Sequence, residues 1–135
     1  MTYLTNTSTL RSFEIGDFYD GWKKKPNRET FLKSIEQADY IVLAIDEEKN
    51  KLIGYITAVS DGVLSAYIPF LEVDKEYQNQ GIGTALLEKM LEQVGHLYMV
   101  DVTVDKDKAG FYEKADFQAW SAMIKRNYDG YEAAN

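Results

Sequence analysis

The sequence predicts a mixed α+β domain, and three observations favour this class. Residues 40–59 contain two β-rich runs around a polar turn. Residues 82–94 carry the apolar stripe of an amphipathic helix. Helical and strand patterns alternate along the chain without repeats or low-complexity segments. We therefore expect one domain, residues 1–135, in which helices flank a central sheet.

The first predicted helix follows Pro26, in the run RETFLKSIEQA at residues 28–38. Phe31, Leu32 and Ile35 recur there at helical spacing, which predicts a short amphipathic helix.

Three strands are predicted next, the first two as an antiparallel hairpin of roughly residues 40–46 and 51–59. The third, residues 64–73, contains Pro69 in its middle. Because proline has no N–H to give to a ladder, we expect this strand to bulge or splay at Pro69.

The long helix at residues 82–94 leads to a strand at 97–105, a brief helix at 108–115 and a last strand at 117–127. Such a helix can cross over between two strands that run parallel. The predicted sheet is therefore mixed.

The composition limits the chemistry. The chain has no cysteine and a single histidine, His96, so a thiolate site, a histidine triad and a metal cluster are not expected. The net charge of -7 argues against nonspecific nucleic-acid binding. No run approaches the roughly 20 apolar residues that cross a bilayer, and the N-terminus does not resemble a secretory signal. We expect a cytoplasmic protein that binds neither nucleic acid nor membrane.

Gly81 and Gly83 stand at the start of the long helix. They fit neither the P-loop pattern nor the dinucleotide fingerprint, which would need glycine at the position of Leu86. Free backbone N–H groups at a helix N-terminus can wrap an anion such as a pyrophosphate. An ordinary strand-to-helix turn is the alternative interpretation.

The pattern Gln78-x-x-Gly81-x-Gly83 resembles the acetyl-coenzyme A pyrophosphate motif, (R/Q)-x-x-G-x-(G/A), of the GNAT superfamily of N-acetyltransferases. The strand before that motif is bulged in the family, which fits Pro69. The segment FYEKADF, residues 111–117, resembles the family's FYEKLGF.

The resemblance extends from about Phe18 to Tyr128 and looks like a small bacterial branch of the family. It implies a GNAT-like fold with a central, mostly antiparallel, twisted sheet. That sheet would be splayed between the strand ending at Val73 and the strand 97–105.

The resemblance also implies where acetyl-coenzyme A (acetyl-CoA) binds. The backbone of Leu71 and Val73 would pair with its pantetheine arm. The pyrophosphate would lie on the loop formed by Gln78, Asn79, Gln80, Gly81, Ile82, Gly83 and Thr84. Asp105 stands where many members have Asn and departs from the pattern, because a carboxylate has no proton to donate.

Tyr112 corresponds to the family's tyrosine that protonates the departing thiolate. The alternative interpretation is that Tyr112 is only a core aromatic residue beside Phe111. Glu72 or Tyr67 could accept the proton of the amine. The alternative for Glu72 is an ion pair with Lys or Arg on the sheet.

The predicted function is transfer of an acetyl group from acetyl-CoA to a primary amine by direct attack, without a metal. The acceptor would be a small molecule or peptide. Asp101 and Asp105 could bind a cationic acceptor, and Trp22 and Tyr19 are expected to form the wall of the acceptor site. The alternative is a non-catalytic acetyl-CoA-binding or CoA-binding sensor or interaction domain. The resemblance also allows a homodimer, because family members often pair through their sheets or C-terminal strands.

Overall fold

A computed structural model describes residues 1–131. The strands are β1 Thr2–Leu4, β2 Glu14–Ile15, β3 Tyr40–Asp46, β4 Lys51–Ser60, β5 Ser65–Val73 and β6 Met99–Val102. The α-helices are α1 Arg28–Glu36, α2 Ile82–Val94 and α3 Ala109–Glu113. The sheet has the order β1-β3-β4-β5-β6, with β2 beside β4. No helix in the described part of the chain is both long and apolar enough to cross a bilayer.

The predicted mixed α+β class is confirmed. The hairpin β3–β4 and the ladders β1–β3 and β4–β5 are antiparallel, whereas β5–β6 is parallel. Helix α2 makes the crossover between β5 and β6, as its position in the sequence predicted.

Two apolar cores lie on the two faces of the sheet. On one face, Leu86 and Met90 of α2 pack against Ile53 and Ile56 of β4. On the other face, the apolar stripe of α1 packs against residues that include Leu43 and Tyr55. As predicted, the stripe consists of Phe31, Leu32 and Ile35. The central strands β3 and β4 are therefore covered by apolar side chains on both faces.

Strands β5 and β6 separate near Pro69, as predicted. Their parallel ladder covers only Ser65–Ile68 on β5, although that strand continues to Val73. On its other edge, the register of β5 with β4 shifts between Thr57 and Val59, close to Pro69. Because Pro69 cannot donate a ladder hydrogen bond, the bulge and the opening begin there.

The predicted last strand, 117–127, does not form. Trp120 is 91% exposed and Met123 is 99% exposed. The alternating pattern suits a strand, but a strand is stabilised only by a paired neighbour, and this segment pairs with none in the described structure.

Two further differences concern short strands. β1 and β2 were not predicted, since three- and two-residue strands carry too little pattern to be recognised. The strand predicted at 97–105 is shorter, so that Tyr98 lies outside β6 and is exposed.

Candidate active site

The loop before α2 has the backbone of an anion cradle. A 3-10 turn, Lys75–Tyr77, separates it from β5, so Gln78 does not end the strand directly. Asn79 and Gly81 both have left-handed φ angles, 63° and 83°. Gly81 caps α2 without any side-chain hydrogen bond to its first turn. The first N–H groups of the helix therefore have no capping partner and point into the space before it.

The space at the two glycines is open. A Cβ atom on Gly81 would meet nothing within 4 Å, and one on Gly83 would lie 3.7 Å from Phe111. No protein atom therefore excludes a side chain at either position, although the left-handed φ of Gly81 favours glycine there. An anion that approached the backbone closely would favour glycine at both positions.

Gln78 does not point into this cradle. Its side-chain Nε2 donates to the carbonyl oxygen of Val73 at 3.1 Å. This is a carbonyl on the stretch of β5 that the resemblance assigns to the pantetheine arm. A ligand that paired with Val73 through that oxygen would share it with the Gln78 amide or displace that amide, because a carbonyl oxygen has two lone pairs.

Strand β5 presents different residues on its two faces beyond Pro69. Leu71 and Val73 pack on the α2 side of the sheet. Glu72 pairs across the ladder with Tyr55, on the side of α1. One edge of this stretch of β5 pairs with β4. The opposite edge has no strand beside it, because the ladder with β6 ends at Ile68.

Glu72 is a partly buried carboxylate with one fixed oxygen. The backbone N–H of Tyr19 donates to its Oε1 at 3.0 Å. Burial raises the pKa of Glu72, and the Tyr19 N–H and the charge of Lys108 oppose that rise. No Lys or Arg within residues 1–131 forms a salt bridge with Glu72, so the ion-pair interpretation has no support there.

Tyr112 of α3 is 7% exposed and packs with its ring centroid 5.6 Å from that of Phe117. Burial, and then the nearby charge of Glu72, raises the pKa of Tyr112 to about 12. The fold thus lets the charge of Glu72 act on Tyr112, forty positions later in the sequence.

Of the two residues predicted for the wall of the acceptor site, Trp22 is exposed and Tyr19 is not. Tyr19 is 5% exposed and its hydroxyl bonds to that of Tyr55, so it belongs to the core. Trp22 is 43% exposed, with its ring 4.6 Å from Tyr19 and 6.2 Å from Phe70. Trp22 and Phe70, unlike Tyr19, therefore remain accessible to a ligand.

The remaining candidates lie further from Glu72. Tyr67 and Asp101 are partners in the closed part of the β5–β6 ladder, before the opening at Pro69. Asp101 and Asp105 are exposed, and the Asp105 side chain caps no N–H of the turn that follows it.

Two residues near the site were not predicted. Tyr55 is fully buried and holds the Tyr19 hydroxyl. Asp74 is 2% exposed and accepts from the N–H groups of Asp17 at 2.8 Å and Glu76 at 2.9 Å. An aspartate followed by a short turn is a recognisable capping signal. The hydrogen bond from the Asp17 N–H to Asp74 joins residues far apart in sequence, and no local sequence pattern predicts it.

The fold agrees with the comparisons to known proteins. The model of the acetyltransferase (GNAT) family matches residues 7–117. The chain belongs to this family. A Deinococcus radiodurans protein assigned to the acetyltransferases has a crystal structure that superposes with a TM-score of 0.86 and 35% identity, covering 95% of this chain and 89% of that one. A GNAT family protein from Streptococcus pneumoniae gives a TM-score of 0.63 at 28% identity, over 75% of this chain and 80% of that one.

Curated relatives agree at lower coverage. The uncharacterized N-acetyltransferase ycf52 of Porphyra purpurea is 24% identical over 121 residues, which are 85% of this chain and 69% of that protein. Histone acetyltransferase TAP1 of Glycine max is 30% identical over 117 residues, 78% of this chain, and the match spans 50% of its length. The chain is thus an acyltransferase by family.

Proposed function

We propose that this protein transfers the acetyl group of acetyl-CoA to a primary amine by direct attack. The observation that carries the proposal is the placement of Glu72 on the part of β5 that β6 leaves unpaired. From there its charge acts on Tyr112 and raises the pKa of that phenol.

The cofactor site follows from two open features. The uncapped N-terminus of α2, with left-handed Gly81, suits a pyrophosphate because its N–H groups and helix dipole favour negative charge. The free edge of Leu71–Val73 suits the amides of a pantetheine arm, which would add to the sheet like a short strand. A Cβ on Gly83 would lie 3.9 Å from a methyl group of Val73, so the two features are adjacent and one elongated ligand can reach both.

The Glu72 carboxylate is suited to accept the proton that an alkylammonium must lose before it can attack. Its raised pKa makes it a stronger base than an exposed glutamate. Acetyl-CoA supplies the thioester, whose carbonyl carbon bonds to the amine nitrogen as the C–S bond breaks. Tyr112 stays protonated at neutral pH, gives its proton to the departing sulfur, and regains one from the nitrogen, which loses its second proton as the amide forms.

The two proton transfers reinforce each other. While Glu72 is charged, it raises the pKa of Tyr112. When Glu72 accepts the proton of the amine its charge disappears, and Tyr112 becomes a stronger acid as the thiolate begins to leave.

The acceptor is proposed to be cationic, as a small molecule or a peptide amine. Glu72, exposed Asp101 and the net charge of -7 favour a positively charged ligand. The exposed face of Trp22 offers a surface for its carbon chain or for cation–π contact.

A homodimer is also proposed. Segment 118–128 exposes large apolar side chains in the single chain; they are Trp120, Met123, Ile124 and Tyr128. Apolar groups concentrated in this way commonly mark an interface. Light scattering should give twice the chain mass of 15.5 kDa, and W120S/M123S should give a monomer. A wild-type monomer at high concentration would contradict the proposal.

A thiol-release assay with acetyl-CoA and a panel of amines tests the proposed function. Released thiol that depends on an added amine is expected, with polycationic amines among the better acceptors. Tight acetyl-CoA binding without turnover for any amine would instead favour a CoA-binding sensor or interaction domain. An unchanged melting temperature with acetyl-CoA would contradict both functions.

A further inference from the structure

Four hydrogen bonds attach segment 16–19, which we call the strap, to strands β4 and β5 and to Asp74, the residue that directly follows β5. Gly16 N–H donates to the carbonyl oxygen of Leu52 at 2.9 Å. Asp17 N–H donates to Asp74 Oδ2 at 2.8 Å, and Tyr19 N–H donates to Glu72 Oε1 at 3.0 Å. The Tyr19 hydroxyl bonds to that of Tyr55. The strap thus reaches the base candidate through its last residue.

Tyr19 adopts a backbone conformation that is unusual for its residue type. Its φ angle is 62°, in the left-handed region that tyrosine rarely enters. A residue remains there when its surroundings fix it, and such strain is concentrated at functional sites. Here the phenol is fixed in the core by Tyr55 while the backbone N–H is directed at Glu72.

We propose that Tyr19 is a positioning residue for Glu72. Its hydroxyl bond to Tyr55 keeps the backbone left-handed, and its N–H then fixes Glu72 Oε1. The other carboxylate oxygen is left for the proton of the amine, a role that rests on the proposed function. The positioning itself is a property of the free protein.

The groups that face Glu72 come from four places. They are Tyr19 of the strap, Tyr55 of β4, Lys108 before α3 and Tyr112 of α3. The Tyr19 N–H favours the charged carboxylate, as does Lys108, against the effect of burial. Loosening the strap should therefore raise the proton affinity of Glu72 while Lys108, Tyr112 and burial stay as they are.

Solution NMR on the free protein tests this without any acceptor. The backbone amide resonance of Tyr19 should move with pH as Glu72 ionises, and this movement should be lost in Glu72→Gln. In Tyr19→Phe and in Tyr55→Phe the Glu72 side-chain carboxyl carbon should titrate at a higher pH than in the wild type. The two variants break the same bond from opposite sides, so one of them suffices if the other does not fold.

Tyr77→Phe is the matched control, because it also removes a tyrosine hydroxyl bonded inside the protein, to Asp46, away from Glu72. Its Glu72 titration should coincide with that of the wild type. The proposal is overturned if Glu72 titrates in both Tyr19→Phe and Tyr55→Phe as it does in the wild type. It is also overturned if the Tyr19 amide resonance does not move as Glu72 ionises. If the coupling is present but no amine is acetylated, the positioning stands and the proposed function fails.

Discussion

Replacing Gly81 by Ala should weaken acetyl-CoA binding about 5- to 30-fold. Gly81 has a φ of 83°, and an L-residue in this left-handed conformation costs about 1–2 kcal/mol. A Cβ there would meet no protein atom within 4 Å, so the cost is conformational and not a clash. Because the loop is exposed, the free protein can relax, and binding must then restore the strained cradle. At about 1.4 kcal/mol per tenfold, this gives the stated range.

Gly62→Ala is the matched control for this measurement. Gly62 has a φ of 77° and nothing within 4 Å of an added Cβ, but it lies in the turn between β4 and β5. Titration calorimetry with acetyl-CoA should give a wild-type Kd for Gly62→Ala and a weaker one for Gly81→Ala. Equal affinity for both variants would refute the assignment of the cradle.

Three other predictions concern charge and packing. Burial raises the folded-state pKa of Glu72, so its stability contribution is fully present below the unfolded pKa of about 4.3 and is lost as pH rises through the folded value. Glu72→Gln should therefore melt higher than the wild type at pH 8, with the difference vanishing near pH 4; a pH-independent difference would contradict this. Leu86→Ala should lower the free energy of unfolding by about 2–5 kcal/mol in urea titrations, because the side chain is fully buried, and a loss below 1 kcal/mol would be inconsistent with its packing. Asp101→Asn should raise KM for polycationic acceptors and leave KM for acetyl-CoA unchanged, and an unchanged acceptor KM would remove Asp101 from the acceptor site.

The elements that local pattern could predict are those whose partners are close in sequence. The hairpin β3–β4 and the amphipathic α2 carry their own periodicity, and Pro69 carries its own geometric rule. Segment 117–127 shows the limit of the same reasoning, since its alternation fits a strand but its pairing depends on a neighbour that the pattern does not specify.

The candidate site likewise contains residues that local motifs suggest and residues whose placement depends on distant contacts. The glycine loop and Tyr112 could be proposed as site residues because their neighbours in sequence form motifs. Tyr19 was predicted to line the acceptor wall, and the structure instead places its ring in the core against Tyr55. That arrangement depends on a left-handed backbone and on a residue 36 positions away, neither of which local pattern reveals.

Single-turnover kinetics of Tyr112→Phe against the wild type tests the central claim most directly. With saturating acetyl-CoA and the best amine found, the acetyl-transfer rate should fall about 100-fold or more, because general-acid catalysis typically contributes that much. The Kd for acetyl-CoA should change little, since the phenylalanine ring keeps the packing of Tyr112 on Phe117. A transfer rate equal to that of the wild type would contradict the role of Tyr112 as the proton donor.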